Sequence, residues 1–229
     1  ELKMNYPFIC VDNFYENPDE ILAYAKTKDY FSDPMGQWPG KRWDSDEKED
    51  NITFFRWVGR KILSCYFGQQ ASKMNFGGNN SFQLITPSEK AAHRLSPNEQ
   101  RSKGWIHSDG NSILGAVVYL NKNQDNNNGT SMYRRKKLGC LSINGDTKRK
   151  FYTNKISVEE HKRGLKENNE QFEETLRVSS VYNRLICYDG SQFHAQNFSQ
   201  VDENRLTQAI FIKVLNAPPP LPERFRQTG

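Results

Sequence analysis

Apolar residues in the N-terminal third of the chain recur mainly at helical spacing. A short alternating segment around Phe8 and Cys10 predicts a first strand. Pro18 begins a segment with acidic residues in its first turn and apolar residues along one face, which predicts a helix. Apolar residues at 54–66 repeat at helical intervals and predict a second amphipathic helix that ends near Gly68.

From Asn75 onward the pattern changes to short apolar segments separated by polar turns. Their β-branched and aromatic residues, bounded by Asn, Gly, Asp or Pro, are typical of strands. Helices followed by strands favour an antiparallel sheet architecture with a helical support over a parallel βαβ sheet. The predicted strands are 81–86, 113–120, 175–181, 184–188 and 206–215.

A long polar segment, 121–175, interrupts the strands. The asparagines at 123–128 predict a loop because they offer no apolar surface to bury. Ser157 and Glu160 have the spacing of a capping box and predict a short helix that runs toward Lys166. The segment is either a lid over a site or an inert surface insertion.

An aromatic content of 12% in 229 residues suffices for one sizeable core, and together with the strand pattern this predicts one mainly β domain. No apolar run approaches the roughly 18 residues of a spanning helix, and the N-terminal segment lacks the layout of a secretory signal. Four cysteines without CxxC spacing favour buried free thiols in a reducing, cytoplasmic compartment over a zinc knuckle. The predicted parts are a support at 1–74, a core at 75–216 that includes the polar segment, and a tail at 217–229.

The formal net charge of +5 gathers in basic runs at 134–137 and 148–150. Such runs are either solvated surface or contacts for a phosphate-rich partner, and solvated surface is the more common case. The basic residues are confined to loops, and no aromatic platform for bases accompanies them. No glycine-rich phosphate loop is present either. Nucleic acid is therefore not a predicted partner.

The candidate chemistry lies in two histidines and one aspartate. His107 and Asp109 are two residues apart, so on a strand they would project to one side, and His194 follows a later predicted strand. Two histidines and one carboxylate form the facial triad that holds Fe(II) with open coordination positions. Catalytic zinc is an alternative, as are two unrelated hydrogen-bonded histidines. His93 and His161 are predicted to lie at the surface.

Arg205 heads a predicted strand whose alternation puts it on the same side as Thr207. An arginine on a buried strand face is costly unless an anion meets it. The formal charges of Fe²⁺, one aspartate, a dicarboxylate 2-oxo acid and Arg205 sum to zero, and Thr207 offers a second donor to the acid. The alternative is a salt bridge from Arg205 to Asp202 or Glu203.

Three stretches together resemble one known family: WIHSDGN from Trp105, NRLICYDG from Asn183 with His194 after it, and RLT from Arg205. Over about 81–215 the chain is similar to the 2-oxoglutarate/Fe(II)-dependent dioxygenase superfamily, in its prolyl-hydroxylase-like branch. The resemblance implies a double-stranded β-helix, or jelly roll, with N-terminal supporting helices and iron at its mouth.

The resemblance also implies roles for five residues. His107, Asp109 and His194 would ligate Fe(II) at the catalytic centre, and Arg205, assisted by Thr207, would bind 2-oxoglutarate. The implied reaction uses O₂ to hydroxylate a C–H bond of a peptide, amino acid or small molecule, with succinate and CO₂ as co-products. The alternatives are a metal-binding jelly roll without turnover and a cupin-like metal enzyme. No membrane partner is predicted, and the oligomeric state is left open.

One position departs from the family pattern. Prolyl hydroxylases commonly have a tyrosine that bonds the cosubstrate carboxylate where this chain has Val118. By alternation, Tyr119 is expected to face away from the site. Gln83 and Tyr133 are the candidates for supplying the missing contact.

Overall fold

The computed structural model describes residues 6–44, 49–99, 101–123, 125–136, 145–199 and 203–217. The helices are α1 (Pro18–Lys26), α2 (Glu49–Phe67), α3 (Pro87–Ala91), α4 (Gly145–Tyr152) and α5 (Val158–Asn169), with a 3₁₀ helix at Gly68–Lys73. The strands are β1 (Ile9–Val11), β2 (Phe31–Ser32), β3 (Lys41–Asp44), β4 (Phe76–Ile85), β5 (Arg101–Lys103), β6 (Leu114–Tyr119), β7 (Asp125–Arg135), β8 (Phe172–Ser180), β9 (Leu185–Asp189), β10 (Phe193–Ser199) and β11 (Arg205–Leu215).

The strands form two antiparallel sheets. The larger has the order β1-β9-β6-β11-β4-β3-β2, and the smaller has the order β5-β10-β7-β8. Tyr119 and Ile186 of the larger sheet pack against Met132 of the smaller one. The mainly β, antiparallel architecture agrees with the sequence-based prediction of a jelly roll. Within the described ranges, no helix is both long and apolar enough to cross a membrane.

The two N-terminal helices cover the larger sheet, as their apolar faces predict. Val58 and Ile62 of α2 are fully buried in one core with Leu22 of α1 and with Val118 and Ile210 of the sheet. Alternation along β11 sends Leu206, Ile210 and Ile212 into this core. The odd-numbered residues from Arg205 to Lys213 are therefore left for the cavity between the sheets.

Strand β7 overturns the prediction of a loop at 123–128, because it begins at Asp125. Backbone pairing with β8 and β10 stabilises this strand in place of apolar burial. Its register shifts between Asp125 and Gly129, and the side chain of Asn128 accepts a hydrogen bond from the Ser199 N–H at 2.9 Å. The Asn128 side chain thus bonds the neighbouring strand β10.

The capping box correctly predicts α5. Its N-cap Ser157 accepts a hydrogen bond from the Glu160 N–H at 3.2 Å, and the helix extends to Asn169. At its C-terminal end, Asn168 donates to the Ile106 carbonyl at 3.1 Å, and Asn169 accepts from the Ile106 N–H at 3.1 Å. The end of α5 therefore holds the backbone immediately before His107.

The cysteines differ in part from expectation. Cys187 is buried, but Cys10 and Cys65 are exposed, and none of the three forms a disulfide. Cys140 and most of the predicted 217–229 tail lie outside the described residues.

His93 and His161 are buried, so their prediction as surface residues is wrong. His161 stacks on Phe151 with ring centroids 3.7 Å apart, and neither of its nitrogens has a hydrogen-bond partner. The nitrogens of His93 lie 2.9 Å from the Glu89 carbonyl and 2.9 Å from the Tyr152 hydroxyl, which suits a neutral ring. Burial lowers the pKa of His93 to about 4 and that of His161 to about 3. Both histidines have polar neighbours in the sequence. The sequence pattern therefore gives no sign that they are buried against residues distant in the chain.

We expect acid to destabilise the fold through these two histidines. Each folded-state pKa lies below the unfolded value near 6.5, so the unfolded chain binds protons more readily. The unfolding free energy is then unaffected above about pH 7 and falls by about 1.4 kcal/mol per pH unit for each histidine below about pH 6.5. Denaturant unfolding at pH 8 and pH 5 measures the loss. His161→Phe keeps the ring stack and should remove about half of it, whereas an unchanged pH dependence in this variant would contradict the assignment.

Candidate metal centre

Backbone pairing brings the two site histidines together. The His107 N–H donates to the His194 carbonyl at 3.0 Å, and the His194 N–H donates to the His107 carbonyl at 2.8 Å. Their ring centroids lie 4.5 Å apart. His194 is the second residue of β10, whereas His107 forms an isolated bridge outside any strand. Neither His107 nor Asp109 lies within a strand, although both side chains reach the same point.

Backbone carbonyls orient both rings. The Nδ1 atom of His107 lies 2.8 Å from the Trp105 carbonyl, and that of His194 lies 3.0 Å from the Gln192 carbonyl. A carbonyl only accepts, so each Nδ1 carries the proton and each Nε2 presents a lone pair. Burial, with Lys148 and His194 nearby, lowers the pKa of His107 well below its ordinary value. Its imidazole is thus neutral at neutral pH, as a metal ligand must be.

Asp109 completes the group from a tight turn. Its N–H donates to the Gly190 carbonyl at 2.8 Å, and its carbonyl accepts from the Ser112 N–H at 2.7 Å. Its Oδ1 lies 3.7 Å from His107 Nε2, and its Oδ2 lies 3.4 Å from His194 Nε2. Oδ2 is buried without a hydrogen-bond partner. An unpartnered buried carboxylate oxygen is costly unless a cation meets it.

The three side chains fit a divalent transition metal. One ligand atom from each residue lies within 4.8 Å of the others. Two imidazole nitrogens and one carboxylate oxygen on one side of an ion suit non-heme Fe(II) and leave positions open. The open side faces a cavity of about 350 Å³ between the sheets.

Arg205 and Thr207 line the same cavity. Arg205 is only 5% exposed, and its Nε is buried without a hydrogen-bond partner. One Nη1–H donates to the Thr207 hydroxyl at 3.4 Å. No described carboxylate lies within ion-pair distance of Arg205; the Glu203 carboxylate instead accepts from Asn121, and Asp202 lies outside the described residues. Burial lowers the pKa of Arg205, so an anion in the cavity would relieve its desolvation.

Tyr119 lies on the cavity side of β6, contrary to expectation. Val118 points into the core beneath the helices, so alternation turns Tyr119 toward the space between the sheets. Its ring centroid is 5.9 Å from the Arg205 guanidinium carbon, and its hydroxyl donates to Thr130 at 2.8 Å. The prediction that Tyr119 faces away is wrong because Val118, and not Tyr119, faces the core beneath the helices.

The two substitutes proposed for the tyrosine differ in position. Gln83 lines the cavity, but its amide donates to the Pro39 carbonyl at 2.8 Å. Tyr133 packs with Ile106 and Phe172 in a separate cluster on the other face of β7. Gln83 therefore lies within reach of a ligand in the cavity, whereas Tyr133 does not.

Sequence reasoning missed three further cavity residues: Arg42, Lys148 and Tyr188. Arg42 lies on β3, a short strand that the sequence pattern does not predict, so its strand face was not apparent. Lys148 lies in the basic run at 148–150, and nothing in that run distinguishes it from its solvated neighbours. Tyr188 ends an apolar segment, and its ring centroid is 4.5 Å from that of His194.

Several solved structures share the fold at very low sequence identity. SnoK, a non-heme alpha-ketoglutarate-dependent carbocyclase from nogalamycin biosynthesis, is 6% identical with a TM-score of 0.51, over 98% of this chain and 87% of SnoK. The epimerase SnoN, solved with Fe³⁺, alpha ketoglutarate and nogalamycin RO, is 12% identical with a TM-score of 0.51, over 98% of this chain and 88% of SnoN. An oxidoreductase of the 2OG-Fe(II) oxygenase family from Burkholderia pseudomallei is 8% identical with a TM-score of 0.50, over 90% and 83% of the two chains.

These similarities establish the fold. Residues 2–212 match the model of a family described as a family of unknown function, DUF6445. No curated protein matches the sequence.

Gly115→Ala should weaken metal binding by about tenfold or more, as changes beside metal ligands do. A Cβ at Gly115 would lie 2.8 Å from the Tyr188 ring and 3.1 Å from Asp109 Oδ2, so the carboxylate would have to shift. Anaerobic titration with Fe(II) or Co(II) measures the effect. Gly110→Ala is the matched control, because its Cβ meets no atom within 4 Å. Equal metal affinity in the two variants, both folded, would contradict this geometry.

Proposed function

This chain belongs to the DUF6445 family, a family of unknown function, and we propose that it is an oxygenase that depends on Fe(II) and 2-oxoglutarate. The proposal rests on one observation. A donor set of two histidines and one carboxylate shares a cavity with a buried arginine that has no counter-ion among the described residues. A bound metal would fill the donor set, and the far carboxylate of a dicarboxylate 2-oxo acid would pair with the arginine.

In the proposed complex, His107 and His194 would each bind the iron through Nε2. Asp109 would bind it through a carboxylate oxygen. Arg205 binds the far carboxylate of 2-oxoglutarate through charge-assisted hydrogen bonds. Because Thr207 accepts from Arg205, its own hydroxyl proton is free to donate to that carboxylate. The formal charges of the metal, Asp109, the cosubstrate and Arg205 then cancel within the buried site.

When bound, the iron and 2-oxoglutarate supply oxidation by O₂, with succinate and CO₂ as co-products and hydroxylation of a substrate C–H bond. The residues of the chain orient and shield this chemistry. The carbonyls of Trp105 and Gln192 keep both Nε2 atoms directed at the metal. Tyr188 and Thr207 are buried and line the cavity, so they would exclude water from the reacting groups.

Two alternatives use the triad without a cosubstrate. A metal-binding jelly roll without turnover, or a cupin-like enzyme, needs His107, Asp109 and His194 but has no use for a buried, unpaired Arg205. The substrate class we propose at this level is broad: a peptide, an amino acid or another small molecule.

Arg205→Ala should raise the 2-oxoglutarate concentration needed for half-maximal succinate formation about 10- to 100-fold. Metal affinity should be unchanged, because Arg205 is not a proposed ligand. Arg177→Ala, which removes an exposed arginine paired with Glu174, is the control and should leave both quantities unchanged.

Succinate formation with Fe(II), 2-oxoglutarate and O₂ tests the proposal as a whole. A wild-type protein that binds Fe(II) and 2-oxoglutarate but forms no succinate above background over a broad substrate panel would support the jelly roll without turnover. Unchanged 2-oxoglutarate affinity in Arg205→Ala would contradict the role of that residue.

A further inference from the structure

The cavity carries more positive charge than the proposed cosubstrate uses. Among the described residues that line it, Asp109 is the single acid, whereas Arg42, Lys148, Arg205 and Lys213 are basic. With iron and 2-oxoglutarate bound, Asp109 and Arg205 are already balanced. The other basic residues have no bound counterpart in that account.

Arg42 and Arg205 line the cavity beside different rings. The guanidinium carbon of Arg42 is 5.8 Å from the ring centroid of Phe211, which is six residues along β11 from Arg205. The same carbon lies 4.6 Å from the centroid of the Trp38 ring. The Arg205 guanidinium carbon instead lies 5.9 Å from the Tyr119 ring centroid, so the two cations occupy different parts of the lining.

The guanidinium of Arg42 is held by rings and not by an acid. Its Nε is buried without a hydrogen-bond partner, and no described carboxylate lies within ion-pair distance of it. Asp33, Asp44 and Asp109 act on it only from longer range, and the Asp33 carboxylate accepts from the Met35 N–H at 3.0 Å. Burial lowers the pKa of Arg42, which again indicates a cation that lacks close compensation.

Lys148 reaches the same cavity from helix α4. It is partly buried, unlike its exposed neighbour Lys150, which pairs with Asp146 at 2.7 Å. Burial lowers the pKa of Lys148 to about 8, with repulsion from Arg42 and attraction to Asp109 as smaller effects. Two cations that line one cavity, with no described acid paired to either, form a site for an anion.

We propose that Arg42 and Lys148 bind an anionic group, a carboxylate or a phosphate, of the substrate that is to be oxidised. The inference rests on the proposed function and narrows its substrate class to small acidic molecules. A cavity of about 350 Å³ is at the small end of ligand sites, which suits such a molecule. The rings of Trp38 and Phe211, already beside Arg42, contact its carbon skeleton.

The polar insertion contributes to the proposed anion site through Lys148. Helix α4 packs its Arg149 backbone against Gly36, where a Cβ would lie 2.4 Å from the Arg149 carbonyl oxygen. Gly36 has a φ of 64° and ends a turn in which its N–H donates to the Asp33 carbonyl, and Trp38 and Arg42 follow it in the chain. Helix α4 thus packs against the segment that precedes Arg42, and the two segments contribute Lys148 and Arg42 to the proposed anion site.

Anion titration into the loaded protein tests the proposal. The protein carries Mn(II) and saturating 2-oxoglutarate under argon, so that Arg205 is occupied and no turnover occurs. Inorganic phosphate and acetate are the two probes, followed by calorimetry at low ionic strength, with acetamide as the neutral analogue of acetate. We expect at least one anion to bind and acetamide not to bind. The tighter of the two anions identifies the group.

Arg42→Met and Lys148→Met should each weaken anion binding about tenfold or more. Lys148→Arg should largely restore it, and Lys150→Met is the control with an exposed lysine on the same helix. Thermal unfolding verifies that each variant is folded. The proposal is wrong if neither anion binds, if acetamide binds as well as acetate, or if both Met variants retain wild-type affinity. Succinate formation by the wild-type protein without added substrate reports separately on the proposed oxygenase function.

Discussion

The mutual backbone pairing of His107 and His194 is the constraint on which the rest of the site depends. Two residues 87 positions apart exchange both of their N–H to carbonyl bonds, and this fixes the separation of their rings. Each ring is then turned by a carbonyl two residues earlier. The Nε2 lone pairs of both histidines point to one place beside the buried Asp109 oxygen. A cation bound there would pair with that oxygen. The geometry is thus set by backbone bonds, which a side-chain substitution elsewhere does not easily move.

The N-terminal helices and the insertion stabilise this site from opposite sides. Helix α2 packs on the outer face of the larger sheet, so alternation leaves Thr207 and its neighbours on β11 for the cavity. Helix α5 acts through Asn168 and Asn169, which bond the backbone just before His107. A polar insertion that looks dispensable in composition is therefore part of the support of the candidate metal centre. Through Lys148 of α4 it also lines the cavity.

Charged residues of both signs line the cavity. Arg205 lies beside Tyr119, Arg42 lies beside Phe211, and Lys148 and the triad line the same cavity. Burial removes water from each cation, and the lost solvation costs free energy that a bound anion would offset. A cavity lined by several such cations suits charged ligands. The aromatic rings beside Arg42 hold it in place without neutralising it.

The sequence by itself determined the features that depend on local periodicity and on residue chemistry. These are the two amphipathic helices, the mainly β core, the capped helix α5, and the grouping of His107, Asp109 and His194 with Arg205. Only the tertiary structure decided which face of β6 meets the cavity, that β7 starts among asparagines, that His161 is buried, and that Lys148 turns inward. The physical reason is that strand facing, inter-strand hydrogen bonds and burial across distant segments depend on neighbours in space, and a single sequence does not encode those neighbours in any local pattern.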